Sequence, residues 1–483
     1  MLHWRRSYLV QILAVLTAIL VPLWLFFPAA HVDRDDPWRQ MPTVATHTDH
    51  RDLLSGSFAD GPAVTEACLV CHPDAANQVM HTAHWTWESP PSILPGRSEP
   101  VVLGKKNALN NFCIGITGNW PACTTCHVGY GWVDQTFDFT AQDHVDCLAC
   151  HDGSGQYAKG KGGLPAEGVD LLAAARSVTR PSRTTCGSCH FRGGGGNAVK
   201  HGDLDESLYY PDESLDVHMG SHDFQCVDCH RTKDHEIGGR AISVSVDGAN
   251  QVACTDCHDT GLHKDQRITA HLPTVACQTC HIPYEALKTA TKTNWDWSTA
   301  GQDLPQNPHE YLKIKGSFVY ERHLRPQYAW YNGKGDHYVL GDTMDPTDTT
   351  DVSRPLGSIE DPSARIWPFK VHLAKQIYDT EYNTLIQPKT YGEGGYWTEF
   401  DWDQAARLGM QAVNQPYSGH FGFANTRMYW PTTHMVASRE KALQCVECHA
   451  EHGQGRLDWI ALGYAGDPIH YGSRPARSER GQK

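Results

Sequence analysis

Eight pentapeptides of the form C-x-x-C-H carry most of the chemistry this chain can do. Their first thiols are Cys68, Cys123, Cys147, Cys186, Cys226, Cys254, Cys277 and Cys445. Their second thiols are Cys71, Cys126, Cys150, Cys189, Cys229, Cys257, Cys280 and Cys448. The motifs end on His72, His127, His151, His190, His230, His258, His281 and His449. They account for all but one of the 17 Cys, and Cys113 is the remainder. At this composition about 0.04 such motifs would arise by chance. In each motif two thiols form thioethers with haem vinyl groups, and the adjacent His becomes an axial iron ligand. The sequence therefore predicts eight covalent c-type haems. Zinc ribbons or a disulfide scaffold would use the Cys pairs but give no reason for the His that follows all eight.

The chain holds 29 His, far more than the motifs need. His81, His84, His144, His201, His218, His222, His235, His263, His271, His372, His420 and His434 are the candidates for second axial ligands. Met numbers only eight, so mostly bis-His, low-potential haems are expected. A bis-His iron has no open position, and chemistry requires one haem with a weak or displaceable sixth ligand.

These ligands must be positioned by a chain of 483 residues with net charge −14. An acidic balance argues against a nucleic-acid-binding surface. Residues 1–30 read as an export or anchoring segment, with Arg5 and Arg6 before an uncharged run from Leu9 to Phe27. That run fits both a cleaved signal and an uncleaved inner-membrane tether. Both place the body outside the cytoplasm, in the periplasm, where covalent haem attachment also occurs. Residues 31–60 read as a polar linker, 61–285 as a region with seven motifs, 286–440 as a haem-poor helical and loop region, and 441–483 as the last motif and tail. On this view His372, His420 and His434 fold back from the haem-poor region to cap haems attached earlier. Porphyrins supply much of the apolar core, so periodic side-chain faces are not required. The expected fold is mainly α with extensive irregular loops, built around eight haems, with little β. Leu171–Val178 and Trp402–Val413 read as helices, as does Ala437–Cys445 leading into the last motif. The run Gly193–Gly196 reads as backbone passing close to something large.

The chain resembles the octahaem tetrathionate reductase family of multihaem cytochromes c. The resemblance is carried by Asn111-Phe112-Cys113-Ile114, Cys123-Thr124-Thr125-Cys126-His127 and Gly129-Tyr130-Gly131-Trp132. It continues through Asp146-Cys147-Leu148-Ala149-Cys150-His151-Asp152, Tyr157-Ala158-Lys159, Cys186-Gly187-Ser188-Cys189-His190-Phe191 and Val199-Lys200-His201-Gly202-Asp203. It covers nearly all of residues 61–455. It implies seven bis-His haems and a second haem, at Cys123 and Cys126, with Lys159 as distal ligand opposite His127; Lys161 is a rival. It also places Cys113 near that haem, where a thiol can exchange with a sulfur substrate.

The resulting expectation is a periplasmic octahaem reductase. Its substrate would be a small oxidised sulfur or nitrogen species: tetrathionate, nitrite or hydroxylamine. Lys159, Lys161, Arg183, Arg192 and Lys200 are candidates to offset the acidic field for an anion. The redox partner would be a quinol oxidase or a small cytochrome. The alternative is a non-catalytic electron-transfer protein between the quinol pool and a periplasmic partner.

Overall fold

The computed structural model describes residues 15–17, 47–112, 115–240, 242, 245–246, 250–259, 261, 263–450 and 454–474. Cys113 and nearly all of residues 9–27 lie outside these. Among the described residues no helix is long and apolar enough to cross a membrane. Residues 1–45 and 254–262 form one compact unit, and 46–253 with 263–483 form a second.

In the haem-bearing part of the larger unit, elements are short. The motifs fold as single helical turns, such as Leu148–His151, Cys226–Cys229, Cys277–His281 and Cys445–Cys448. The spacing is its own reason: one turn brings both thiols and the His to one side. Two of these turns cap themselves with the acid between their cysteines. Asp228 accepts from Gln225 N at 2.7 Å, and Glu447 accepts from Gln444 N at 2.9 Å. The fourth motif lies on Arg183–His190, where Ser182 and Thr185 form a capping box.

The expectation of a mainly α fold is overturned: 26% of the chain is helical, 17% is strand, and the haem-poor region builds a nine-stranded sheet. A small hairpin comes first, β1 (Thr232–Lys233) with β2 (Glu236–Ile237). The sheet follows: β3 (Thr291–Asp296), β4 (Tyr311–Leu312), β5 (Gly316–Glu321), β6 (Gln327–Tyr331), β7 (Gly335–His337), β8 (Thr350–Pro355), β9 (Arg365–Asp379), β10 (Thr384–Leu385) and β11 (Phe421–Pro431). The strand order is β4-β5-β3-β9-β11-β8-β7, with β6 and β10 also paired to β9. The physical reason is the distribution of haem. Where motifs are dense, porphyrin fills the core; residues 286–440 have none and must bury their own side chains. β11 does so with a period of two, burying Ala424, Thr426, Met428 and Trp430. Ala437–Cys445 likewise contains only a 3-10 turn, Arg439–Lys441, whereas Leu171–Arg176 and Trp402–Ala412 are helices as expected.

The sheet is also the platform for the second motif. β9 turns Lys370, His372, Ala374 and Gln376 to one buried side. Asn111 clamps that side, donating to His372 O at 2.7 Å, and Gln376 donates to Asn110 O at 3.0 Å. Leu109, Phe112 and Val199 join the sheet residues Trp295, Met428 and Trp430 in one apolar core. The glycine run passes close to that core: a Cβ on Gly194, at φ +78°, would stand 2.8 Å from the Phe112 ring.

Candidate functional site

A nitrogen bonds a first-row metal at about 2 Å, so two imidazoles sharing one iron hold their ring centroids about 6 Å apart. Six motif histidines face a second imidazole at that separation. His72 faces His50 at 6.3 Å, His151 faces His235 at 6.4 Å, and His190 faces His84 at 6.1 Å. His230 faces His434 at 6.2 Å, His281 faces His263 at 6.3 Å, and His449 faces His271 at 6.0 Å. The gap in each pair is that of an iron with two axial nitrogens, so the residues present fit bis-His haem.

Hydrogen bonds orient these rings. The Nδ1–H of His151 donates to Thr179 O at 2.9 Å, that of His230 to Gly238 O at 2.8 Å, and that of His449 to Asp467 at 2.7 Å. On the partner side, His50 donates to Thr48 O at 2.7 Å, His235 to Gln78 at 2.8 Å, and His271 to Arg267 O at 2.7 Å. Holding the proton on Nδ1 leaves the Nε2 lone pair for metal. Burial lowers the pKa of His84, His151 and His230, and pushes His190 down to about 3, so these rings are neutral as ligands must be.

His127 breaks this pattern. It is fully buried, and its Nε2–H donates to Trp85 O at 2.7 Å while Nδ1 has no partner. Five rings enclose it: Trp132 at 4.8 Å, Trp85 at 5.2 Å, Trp87 and Phe137 at 5.4 Å, and Phe139 at 6.1 Å. Gly129 closes the Nδ1 side, where a Cβ would come within 2.9 Å of that nitrogen. No described imidazole stands opposite it at pair distance. Burial pushes His127 down to about 3, so the ring is neutral, as a ligand must be.

Lys159 lies beside this motif because its loop is stitched to it. Gly131 N and Trp132 N donate to Gly162 O at 2.9 and 3.0 Å, and Thr124 Oγ1 donates to Trp132 O at 2.7 Å. Gly163, at φ +76°, passes so close to Gly129 O that a Cβ would stand 2.3 Å away. The Lys159 side chain is 8% exposed and its Nζ contacts the Asp146 carboxylate. Lys105, Lys159 and Lys200 all add positive potential at Cys126. Lys200 Nζ sits 4.8 Å over the Trp430 ring, Trp430 packs 5.6 Å from Phe112, and Phe112 stands edge-on to His372 at 6.5 Å.

The other expected residues fall elsewhere. His372 is buried and bonded to Asn111 through Nδ1 at 3.0 Å; among the described residues its Nε2 has no partner and no imidazole faces it at pair distance. His201 is half-buried, with its ring 5.1 Å from that of Trp430. His218 and His222 lie on the helix Val217–His222. His420 is exposed and 3.5 Å from Glu381, an arrangement suited to solvent. Arg183 is tied to Asp223 and Phe224 O, Arg192 to Glu206, and Lys161 lies over the Tyr391 ring. His258, in the smaller unit, follows the 3-10 turn Cys254–Asp256, and its N–H donates to Cys254 O at 2.9 Å. His50 was hidden from sequence reasoning inside a polar stretch that reads as linker; only the excess of His hinted at it.

The motifs are also neighbours. Cys68 and Cys147, Cys126 and Cys189, and Cys186 and Cys226 lie within electrostatic reach of each other. Cys280 and Cys448 lie within electrostatic reach of each other. Attachment points of the first and third, second and fourth, and fourth and fifth motifs thus stand side by side.

Comparison with known proteins agrees with this geometry. The family model of bacterial cytochrome c matches residues 292–452. An uncharacterised protein of Archaeoglobus fulgidus is 24% identical over 229 residues, covering 37% of this chain and 76% of its own. The crystal structure of octahaem cytochrome c from Shewanella oneidensis is similar with TM-score 0.82 and 50% identity, over 88% of this chain and 98% of that one.

Proposed function

The chain belongs to the octahaem cytochromes c of the tetrathionate reductase family, and from that membership we propose that it is a periplasmic reductase whose chemistry occurs at Cys123 and Cys126. Bound haem supplies one-electron transfer and, at this motif, an iron with an exchangeable coordination position. The chain's own residues make the second motif different from the rest. The observation that carries the reading is that no described imidazole faces His127 at pair distance, while the buried Lys159 is stitched beside this motif. Lys159 is the nearby buried group able to bind opposite His127, through a neutral amine. In this arrangement His127 and Lys159 take the two faces of the haem, and the weakly held Lys159 amine yields its place to substrate.

The substrate class is a small oxidised sulfur or nitrogen species such as tetrathionate, nitrite or hydroxylamine. Lys105 and Lys200 offset the acidic charge of the whole chain for an anion. His372 offers an unpartnered Nε2 lone pair, fixed by Asn111, to a protonated substrate atom. The side-by-side attachment points let electrons reach the second motif from the fourth, which also touches the fifth. The partner is a redox protein.

Lys159→Ala tests the proposal. Eight haems should stay attached, one should change its ligand-field spectrum, and reduction of all three acceptors should fall by at least tenfold. Lys161→Ala should do neither. An unchanged spectrum and full activity in Lys159→Ala would show that Lys159 is not the ligand, and no reduction of any of the three acceptors by the unaltered protein would favour the non-catalytic electron-transfer reading.

A further inference from the structure

Asp146, the residue before the third motif, has a side chain with no exposed surface. Four donors converge on its carboxylate. Oδ1 accepts from the Tyr130 hydroxyl at 2.9 Å and from Ala149 N at 3.0 Å. Oδ2 accepts from the Tyr157 hydroxyl at 2.9 Å and from Lys159 Nζ. Asp146 N donates to Val128 O at 2.9 Å, which ties it to the residue after His127. Burial and the Asp146 charge push both tyrosines well above their ordinary range, so both remain donors. A buried carboxylate satisfied this fully is held in one place.

We propose that Asp146 is the positioning residue that aims the Lys159 amine at the second haem and sets that haem's potential. The inference rests on Lys159 being the ligand. Coordination needs the neutral amine: the ammonium loses one proton to solvent, its lone pair goes to the metal, and two N–H donors remain. One of them stays on Oδ2. This is the lysine counterpart of the carboxylate that orients a ligating histidine and raises its basicity. A carboxylate in that place stabilises the oxidised metal and lowers the potential. The two tyrosines compete for the same carboxylate, so they moderate the effect, and Tyr157 does so on the oxygen that Lys159 uses.

The test uses the haem-loaded protein and reads haem count, the spectrum of the second haem and its midpoint potential. Asp146→Asn should keep eight haems, weaken the lysine-ligated spectrum and shift the second haem's potential upward, with the other seven unchanged. Asp146→Glu should restore part of the shift. Tyr157→Phe frees Oδ2 for Lys159 and should shift the same potential downward, a reversal of sign that a purely structural carboxylate would not produce. Tyr157→Phe remains decisive if Asp146→Asn fails to mature. If Lys159→Ala alters the second haem while Asp146→Asn and Tyr157→Phe leave its potential where it was, the role of Asp146 is overturned and the lysine ligand stands. If Lys159→Ala alters nothing, both fall.

Discussion

A C-x-x-C-H pentapeptide dictates haem attachment but not what its histidine does afterwards. His151, His230 and His449 hand the Nδ1 proton to a nearby acceptor and keep Nε2 for metal. His127, with the same local sequence, has no such acceptor at Nδ1: Gly129 closes that side and Nε2 lies against Trp85 O. That difference comes from residues up to 42 positions away and is invisible in the motif. The imidazoles that face the motif histidines are non-local too: His84 faces His190, and His434 faces His230. Composition made both eligible without assigning either. His50 is the residue that the linker reading concealed, and it carries a direct prediction. His50→Ala removes the ring that faces His72, so exactly one haem should turn from low-spin to high-spin while eight stay attached. Magnetic circular dichroism reads that change, and eight unchanged low-spin haems would refute the pairing.

At the scale of elements, the sheet was the least legible part of the chain. Counting porphyrin as core suggested that side-chain periodicity could be relaxed everywhere. It is relaxed among the clustered motifs, where Cys226–Cys229 and its like are single turns, but not in β9 and β11. The helix Trp402–Ala412 was legible because it carries its own signals. Asp401 caps it by accepting from Gln404 N at 3.1 Å, and Ala405, Ala406, Gly409 and Met410 form one buried face. Gly409 lets this helix press on residues 387–389: a Cβ there would lie 2.0 Å from Gln387 O and 2.5 Å from Lys389 N. The same segment grips Asn119, just before the second motif, through Thr390 N and Tyr391 N at 2.7 and 3.0 Å. Gly409→Ala should therefore cost about 1–3 kcal/mol, the usual penalty of overpacking. A urea titration measures it, and the spectrum of the second haem should broaden along with it. An unchanged midpoint would mean that the helix yields freely.

For the molecule as a whole, haem and side chains divide the work of making a core. The motif-rich part is held by covalent attachment and paired imidazoles, while the motif-free part is a sheet that carries Asn111, Phe112 and His372 toward the second motif. Neighbouring attachment cysteines put the fourth motif beside both the second and the fifth. The reductase reading requires this junction to end at a site unlike the others, and the second motif is that site. The crystal structure of the haem-loaded protein tests this most directly. It should show six irons between the pairs His50–His72, His151–His235, His84–His190, His230–His434, His263–His281 and His271–His449. At Cys123 and Cys126 it should show Lys159 Nζ bonded to iron at about 2 Å, opposite His127. Lys159 left on Asp146 away from that iron, with another group or an imidazole opposite His127, would contradict the account.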